Sequence, residues 1–344
     1  MTLSNLRSTL VLATACTTVV VTAACGAQLT PRVAEVELRP QDGATQVFTF
    51  SYNSDGLLSR VVGEVGGQAG LDTRYRYDSG AQLVSMTRET AEEEQELQFE
   101  RDGGYIVRAT IDAESHIAFA DCVGGELELT GDGEQVFGWR DGKLEWSQVL
   151  LETDGDCNTS AGLFTADITY WAENDIAQTD DSPSSMTSES DVQSTFALAG
   201  EEVGASSKQT EFDVRYTHRD DVLLSVQQEM EVTDANGRHT TEHDLELSYN
   251  DDGALDEVDQ EMRADGVDVT SQIEFTYNDD GFITRIEDRD GNRWEIRYDD
   301  GYVGGVTFSL KNAFAGGEHL GLDGKPLQDL TGGSVVDIMG NWNL

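Results

Sequence analysis

"IEFTYNDDGFITRIEDRDGNRWEIRYDDG" spans residues 273–301 and repeats one short pattern. An aromatic residue is followed by a run of Asn or Asp and then a Gly, as in Tyr277-Asn-Asp-Asp-Gly281. Asn and Asp hydrogen-bond to their own backbone, and Gly accepts a positive φ without steric cost. Between these turns apolar residues alternate with polar ones, as at Trp294, Ile296 and Tyr298. Acid-Gly turns between alternating runs are typical of β-hairpins with one buried and one wet face.

The same unit recurs along most of the chain, at many points roughly 20 to 33 residues apart, which is a spacing expected of repeated supersecondary structure. The units begin at Tyr52, Tyr77, Phe99, Trp139, Tyr216, Tyr249, Tyr277 and Tyr298. The pattern therefore predicts an all-β protein, an antiparallel meander of repeated hairpins. Because strand twist accumulates, so many strands should form a large curled sheet, a roll or a barrel-like shell.

The turn chemistry also resembles a known repeat. The segments Tyr277-Asn-Asp-Asp-Gly-x-Ile and Asp288-x-Asp-Gly-Asn are similar to the YD repeat of RHS-type proteins, with the best match over residues 245–306. That resemblance implies successive β-hairpins in a spiralling sheet. The nearer comparison is with shorter exported bacterial lipoproteins that carry a few such hairpins, so the resemblance implies a fold more than a function.

The excess of acidic residues limits the kinds of molecule that the protein can bind. The 344 residues include 22 Lys and Arg against 66 Asp and Glu, a formal net charge of −44. Such a surface repels nucleic acid and anionic lipid headgroups, so nucleic-acid binding is not expected. The acids are spread along the chain, as in a solvated acidic coat, and they can attract cations or basic partners.

The N-terminus has the layout of an export signal. Arg7 precedes an uncharged stretch that ends in Thr22-Ala-Ala-Cys25-Gly26, similar to the lipobox of bacterial lipoproteins. We predict lipidation at Cys25 and a lipid-anchored location in the bacterial cell envelope, at the outer membrane or cell surface. This anchor would be the only membrane contact. Cys16 is a competing site, and an ordinary cleaved signal peptide is the alternative.

The chain then divides by composition. The predicted parts are a signal peptide (1–24), a tether (25–35), an N-terminal β-repeat region (36–171), a polar linker or long loop (172–208), a C-terminal YD-like β-repeat region (209–310) and a Gly-rich C-terminal cap or tail (311–344). The segment from 172 is rich in Ser and Asp and lacks alternation, which favours a linker. Alternatively, both halves share one sheet and this segment is an excursion from it.

Two cysteines remain in the folded part, Cys122 and Cys157. Exported chains meet oxidising conditions, so we predict a disulfide between them, with two unpaired thiols as the alternative.

No constellation of residues points firmly to catalysis. The motif His239-Thr-Thr-Glu-His243 matches the zinc motif H-x-x-E-H, but that chemistry requires a helix. On a strand, as the flanking residues predict, the two imidazoles would lie about 13 Å apart. The Asp-rich turns at 250–252, 278–280 and 288–290 could bind calcium, but turn propensity also explains them. The interpretation is a protein without catalytic, cofactor or metal residues.

Three functions remain. The first is a non-catalytic, lipid-anchored envelope protein that presents a binding or scaffold surface to an unknown protein or glycan partner. The second is a periplasmic or surface carrier of a small apolar ligand, held against side chains such as Phe50, Leu247, Phe275 and Trp294. The third is a hydrolase with an unrecognised pair of carboxylates among the many acids.

Overall fold

The computed structural model describes residues 30–302 except 42, 92, 104, 141–142, 180–181, 220–221, 236, 252, 265–266 and 280. Within these ranges the chain forms eighteen β-strands. They are β1 (Thr30–Arg39), β2 (Gln46–Tyr52), β3 (Leu58–Val65), β4 (Gln68–Tyr77), β5 (Leu83–Thr90), β6 (Glu93–Asp102), β7 (Tyr105–Ala118), β8 (Glu126–Arg140), β9 (Lys143–Thr159), β10 (Gly162–Thr179), β11 (Ser182–Leu198), β12 (Glu201–Arg219), β13 (Val222–Asp234), β14 (Gly237–Tyr249), β15 (Leu255–Ala264), β16 (Val267–Tyr277), β17 (Ile283–Asp288) and β18 (Arg293–Tyr302). No helix suited to crossing a bilayer occurs in this part of the chain.

The strands form one antiparallel meander that closes on itself. Each strand pairs with the next in the chain, and β1 pairs with both β2 and β18. The expected all-β meander is confirmed, and it is a closed barrel. Thr30 lies opposite Tyr302, so the chain enters and leaves at one end. We call that end the base and the opposite end the top. Turns from even-numbered to odd-numbered strands lie at the base.

The aromatic residue of each sequence repeat occupies the base end of an even-numbered strand. Its role is visible in the hydrogen bonds of the phenolic hydroxyls. Tyr249 donates to the backbone carbonyl of Leu223 at 2.5 Å, and Tyr277 donates to that of Leu255 at 2.5 Å. Tyr52 and Tyr298 donate in the same way to the carbonyls of Val33 and Ile283. Each tyrosine therefore ties its strand to the preceding one at the base.

The acid-Gly turns share one geometry. The first turn residue accepts the amide of the fifth on its side chain, as Asn250 Oδ1 does from Ala254 and Asp78 Oδ1 does from Gln82. Asn53, Asn278 and Asp288 accept in the same way from Leu57, Phe282 and Asn292. In each of these turns the fourth residue has a positive φ. The side-chain cap and the left-handed residue together explain why the sequence repeats Asn or Asp followed by Gly.

The buried side chains face the inside of the barrel. Along most strands residues alternate between more buried and more exposed, and in the lower part of the barrel the outward positions are the exposed ones. One apolar cluster extends around the inner wall. Val33 and Leu58 in this cluster are completely buried. At the base, the turn residues Leu57 and Ala254 are also buried. The lower part of the barrel interior is therefore a packed core.

The wall is taller on one side. Strands β8–β12 have 15 to 19 residues, whereas β17 on the short side has six. At about 3.3 Å per residue the long strands reach roughly 50 to 60 Å. Their top carries a second apolar cluster that includes Leu127, Leu129 and Phe164. Cys122, in the loop that joins β7 to β8, forms a disulfide with Cys157 on β9, with the two Cα atoms 5.6 Å apart. This bond fixes the loop to the top of the tall wall.

Two predicted boundaries differ from the structure. The expected tether at 25–35 overlaps β1, which begins at Thr30. The expected linker at 172–208 belongs to β10, β11 and β12, and β11 pairs along nearly its whole length with both neighbours. A polar strand persists here because its backbone groups are paired on both edges, so that apolar alternation is not required. The two repeat regions therefore share one sheet. The signal segment and the predicted tail at 311–344 lie outside the described residues.

Candidate binding surfaces

The outer wall is polar, but its positive charge is concentrated on the short side. Arg60 contacts Asp72 at 2.7 Å, and Arg263 contacts Glu261 at 2.8 Å. Further ion pairs join β1 to β18 through Arg39 and Glu295. The hydrogen bond from Arg60 holds the pKa of the Asp72 carboxyl below its usual value. Some outward acids on this side are therefore paired with arginines, although others face one another directly, as Glu246 and Asp259 do.

A row of directly paired acids crosses the outer wall from β6 to β9, at the edge of the tall side. Directly paired outward positions on β6, β7, β8 and β9 are Glu96, Asp112, Asp132 and Glu152. We call these four residues the acidic row. Side chains opposite each other on neighbouring strands lie about 5 Å apart, and like charges in that arrangement are destabilising. At that distance each adjacent pair costs about 0.8 kcal/mol in water before screening by salt. Other outward acids also pair directly, as Glu173 does with Glu189, so the acidic row is one of several such arrangements.

Exposed apolar residues lie beside the acidic row. Leu150 on β9 is 42% exposed and pairs directly with Trp171 on β10. Trp146, further along β9, is 37% exposed. It pairs with Gly138 on β8, where an added Cβ would collide with the indole ring, so the ring lies against that backbone. Val136 adjoins them on β8. We call Val136, Trp146, Leu150 and Trp171 the aromatic patch.

The patch and the row are in register. Glu152 follows Leu150 by two residues on the same strand and so lies about 7 Å from it on the same face. Glu134 pairs directly with Leu150, and Glu173 lies between Trp171 and Asp175 on the same face of β10. Carboxylates thus border the apolar side chains on the outer face of the tall wall, and Arg108, which pairs with Val136, lies at one edge of the patch.

A second exposed apolar surface lies inside the barrel near the top. Met230, Met262, Val267 and Val269 face inward in the same alternation as the core below them, yet they are 36% to 61% exposed. Met262 pairs directly with Val269 and with His243, and Met230 pairs with Thr241. We call the four apolar residues the top inner wall. They are an uncovered continuation of the core.

Polar side chains separate the core from the top inner wall. Gln228 is buried, and its Oε1 lies 3.2 Å from Nδ1 of His243. Gln260 Nε2, Gln46 Oε1 and Arg88 Nε are buried atoms without a hydrogen-bond partner in the described structure. Buried polar atoms require a partner, so water or a ligand should reach this layer from the top.

The side chains proposed to line a carrier cavity are packed instead. Phe50 and Phe275 are 9% and 7% exposed and belong to the core cluster, and Leu247 and Trp294 pack against it. A cavity at that level is therefore not the site. If a ligand enters the barrel, it does so at the top inner wall.

The zinc motif lies on a strand. His239 pairs with Val232 and His243 pairs with Gln228, all within the β13–β14 ladder. At four residues' separation along a strand the two imidazoles lie about 13 Å apart and cannot share one metal ion. Among the described residues, no group of three or more His, Cys, Asp or Glu side chains is arranged to hold a metal.

The Asp-rich turns that could bind calcium use side-chain oxygens within the turn. Asn250 and Asn278 each accept a backbone amide through Oδ1, and Asp288 also contacts the Asn292 side-chain amide at 2.6 Å. Those oxygens serve turn formation. The predicted lipidation residue, Cys25, lies outside the described residues.

Sequence reasoning missed the aromatic patch, the acidic row and the top inner wall. The apolar residues were visible, but only strand register shows which of them share a face. One signal was available, because Trp146, Leu150 and Trp171 interrupt mostly polar outward positions of their strands.

No family model matches the chain, and no curated protein matches it. A similar solved structure is the crystal structure of a porin-like protein from Bacteroides vulgatus at 2.80 Å resolution. The two share 12% sequence identity with a TM-score of 0.34, and the similarity covers 78% of this chain and 99% of that chain. A likeness at this level gives no basis for assigning a function.

Proposed function

We propose that this chain is a non-catalytic, lipid-anchored protein of the bacterial cell envelope that presents the wall of a β-barrel for binding. The observation that carries the proposal is the position of the base. Thr30 begins β1 at that end, and Cys25 precedes it by only five residues. An extended segment of that length reaches about 18 Å at most. A lipid on Cys25 would hold the base close to the membrane and direct the top away from it.

The polarity of the outer wall supports the proposal that the barrel stands in water next to the membrane surface and does not span the bilayer. A membrane-spanning barrel requires an outward apolar band about 25 Å tall. Outward positions of the described strands are instead mostly charged or polar, as at Glu37, Arg74, Asp112 and Glu246. Exposed acids in the base turns, such as Asp55, would further oppose docking onto anionic headgroups. In this proposal, the hairpins that resemble YD repeats form the scaffold that carries the binding surface.

The anchor is tested by fractionating bacteria that express the full chain or its Cys25→Ser variant. We expect the unaltered chain in the membrane fraction, with a mature N-terminus at acylated Cys25 in mass spectra. The variant should move to the aqueous fraction. A matched Cys16→Ser variant should behave as the unaltered chain does. A mature chain that is soluble and carries no acyl group would contradict the predicted lipid anchor.

A second candidate, transport of a small apolar ligand, is favoured by the top inner wall. Methionine side chains adapt to varied apolar surfaces, and an unpartnered amide below them could bind a polar head group. Titration with a fluorescent fatty acid tests this function. Binding that is weakened by Met262→Ser but not by Val203→Ser, an exposed site on β12, would support it. Equal effects of the two variants would refute it.

A further inference from the structure

We infer that the aromatic patch and the acidic row together form a docking surface for a cationic, amphipathic protein segment. The inference rests on the proposed binding function and names the class of partner. It starts from the direct pairing of Leu150 with Trp171 and the adjoining position of Trp146. These residues form an exposed apolar centre with a charged border, and aromatic residues at the centre of a surface are frequent anchors of binding energy.

The charge of the border selects the partner. Asp112, Asp132 and Glu152 are successive members of the acidic row, and Glu134 and Glu173 border the patch directly. At one edge of this group of acids, Nε of Arg108 lies 3.4 Å from the Glu134 carboxylate. Lysine or arginine side chains of a partner would remove the repulsion among these acids and speed the encounter.

Other occupants fit this surface less well. A second copy of the chain carries the same net charge of −44, and anionic lipid would be repelled in the same way. A neutral glycan could stack on Trp146, but it would gain nothing from the surrounding acids. A segment with apolar side chains flanked by Lys or Arg matches both features of the surface.

The experiment uses the full chain with Cys25→Ser, so that binding is measured in solution whether or not the anchor proposal holds. The probe is a synthetic 14-residue peptide of Lys and Leu, compared with a Lys and Ser peptide and a Glu and Leu peptide. Isothermal titration calorimetry at two salt concentrations gives the affinities. We expect the Lys and Leu peptide to bind at least ten-fold more tightly than either comparison peptide, and less tightly at high salt.

Two pairs of substitutions and one control variant test whether the peptide binds at the aromatic patch and the acidic row. Trp146→Ser with Leu150→Ser removes the apolar centre, and Asp132→Asn with Glu152→Gln reduces the charge of the row. Each should weaken binding at least ten-fold. The control combines Glu201→Gln, Glu202→Gln and Val203→Ser, an exposed apolar residue beside two acids at the top of β12. It should change affinity less than two-fold.

The inference is overturned if the patch and row variants bind as the parent does, or if the control loses affinity equally. It is also overturned if a neutral oligosaccharide binds in a Trp146-dependent manner while the cationic peptide does not bind. Circular dichroism of each variant shows whether the barrel is intact. The row variants, which keep side-chain size, remain informative if the apolar variants misfold.

Discussion

At the scale of single residues, one turn departs from the pattern of the others. The fourth turn residue is Gly56, Gly253, Gly281 or Gly291 in four of them, whereas it is Ala81 in the turn after β4, with φ of 62°. A left-handed conformation costs a residue with a Cβ about 1 to 2 kcal/mol. Gly80 stands one position too early to relieve this strain.

Replacing Ala81 with Gly should therefore stabilise the barrel by about 0.5 to 1 kcal/mol, after allowing for the greater freedom of Gly in the unfolded chain. Urea unfolding measures the change. Gly56→Ala is the matched control and should destabilise by a similar amount. If both variants lower stability, the described conformation at Ala81 is wrong.

The base tyrosines predict how stability responds to alkaline pH. Burial raises the pKa of Tyr77 to about 12 and also raises the pKa of Tyr249 and Tyr277 above their ordinary value near 10. A raised folded pKa means that stability is complete below pH 10 and is lost as pH rises through the folded value. We expect the melting temperature to fall from about pH 10 upward.

A Tyr249→Phe variant separates this effect from general alkaline damage. It loses the hydrogen bond to Leu223, which should cost about 1 kcal/mol at pH 7. Its stability should then decline less steeply than that of the parent between pH 10 and 12. Parallel declines would show that ionisation of this tyrosine is not responsible.

At the scale of strands and hairpins, the acidic row is a feature that opposes folding. Asp132 has a carboxylate directly beside it on each side, Asp112 and Glu152. Asp132→Asn should stabilise the protein by about 1 kcal/mol at low salt, and the gain should shrink as salt screens the repulsion. Thermal melts at several salt concentrations measure it. The matched variant Asp72→Asn removes a partner of Arg60 and should lower stability instead. A salt-independent gain at Asp132 would contradict repulsion.

Sequence prediction succeeded where the signal is local. The aromatic, the acidic turn and the alternating flank lie within a few residues of one another, so the hairpins near Tyr249 and Tyr277 could be identified directly. It failed at β11, where Ser and Asp replace the apolar alternation and only pairing with β10 and β12 maintains the strand. Propensity alone does not contain that information.

At the scale of the whole molecule, closure and surface pattern depend on residues far apart in the chain. The pairing of Val36 with Ile296 closes the barrel, and no local sequence motif predicts this pairing. The aromatic patch likewise needs the register of β8, β9 and β10. Closure places the apolar positions inside and the charged positions outside, and it brings the start of β1 and the end of β18 together at the base. The proposed orientation on a membrane follows from that arrangement.

The most direct test is whether the outer wall of the barrel faces water or lipid. Spin labels would be placed at Thr49, Thr110 and Glu246, which are outward and exposed on β2, β7 and β14. The labelled full chain would be reconstituted with its lipid anchor in vesicles. Electron paramagnetic resonance would then compare collisions with a water-soluble nickel chelate and with oxygen. We predict high nickel accessibility at all three sites. Sites shielded from nickel and open to oxygen would place the wall in lipid and contradict the account.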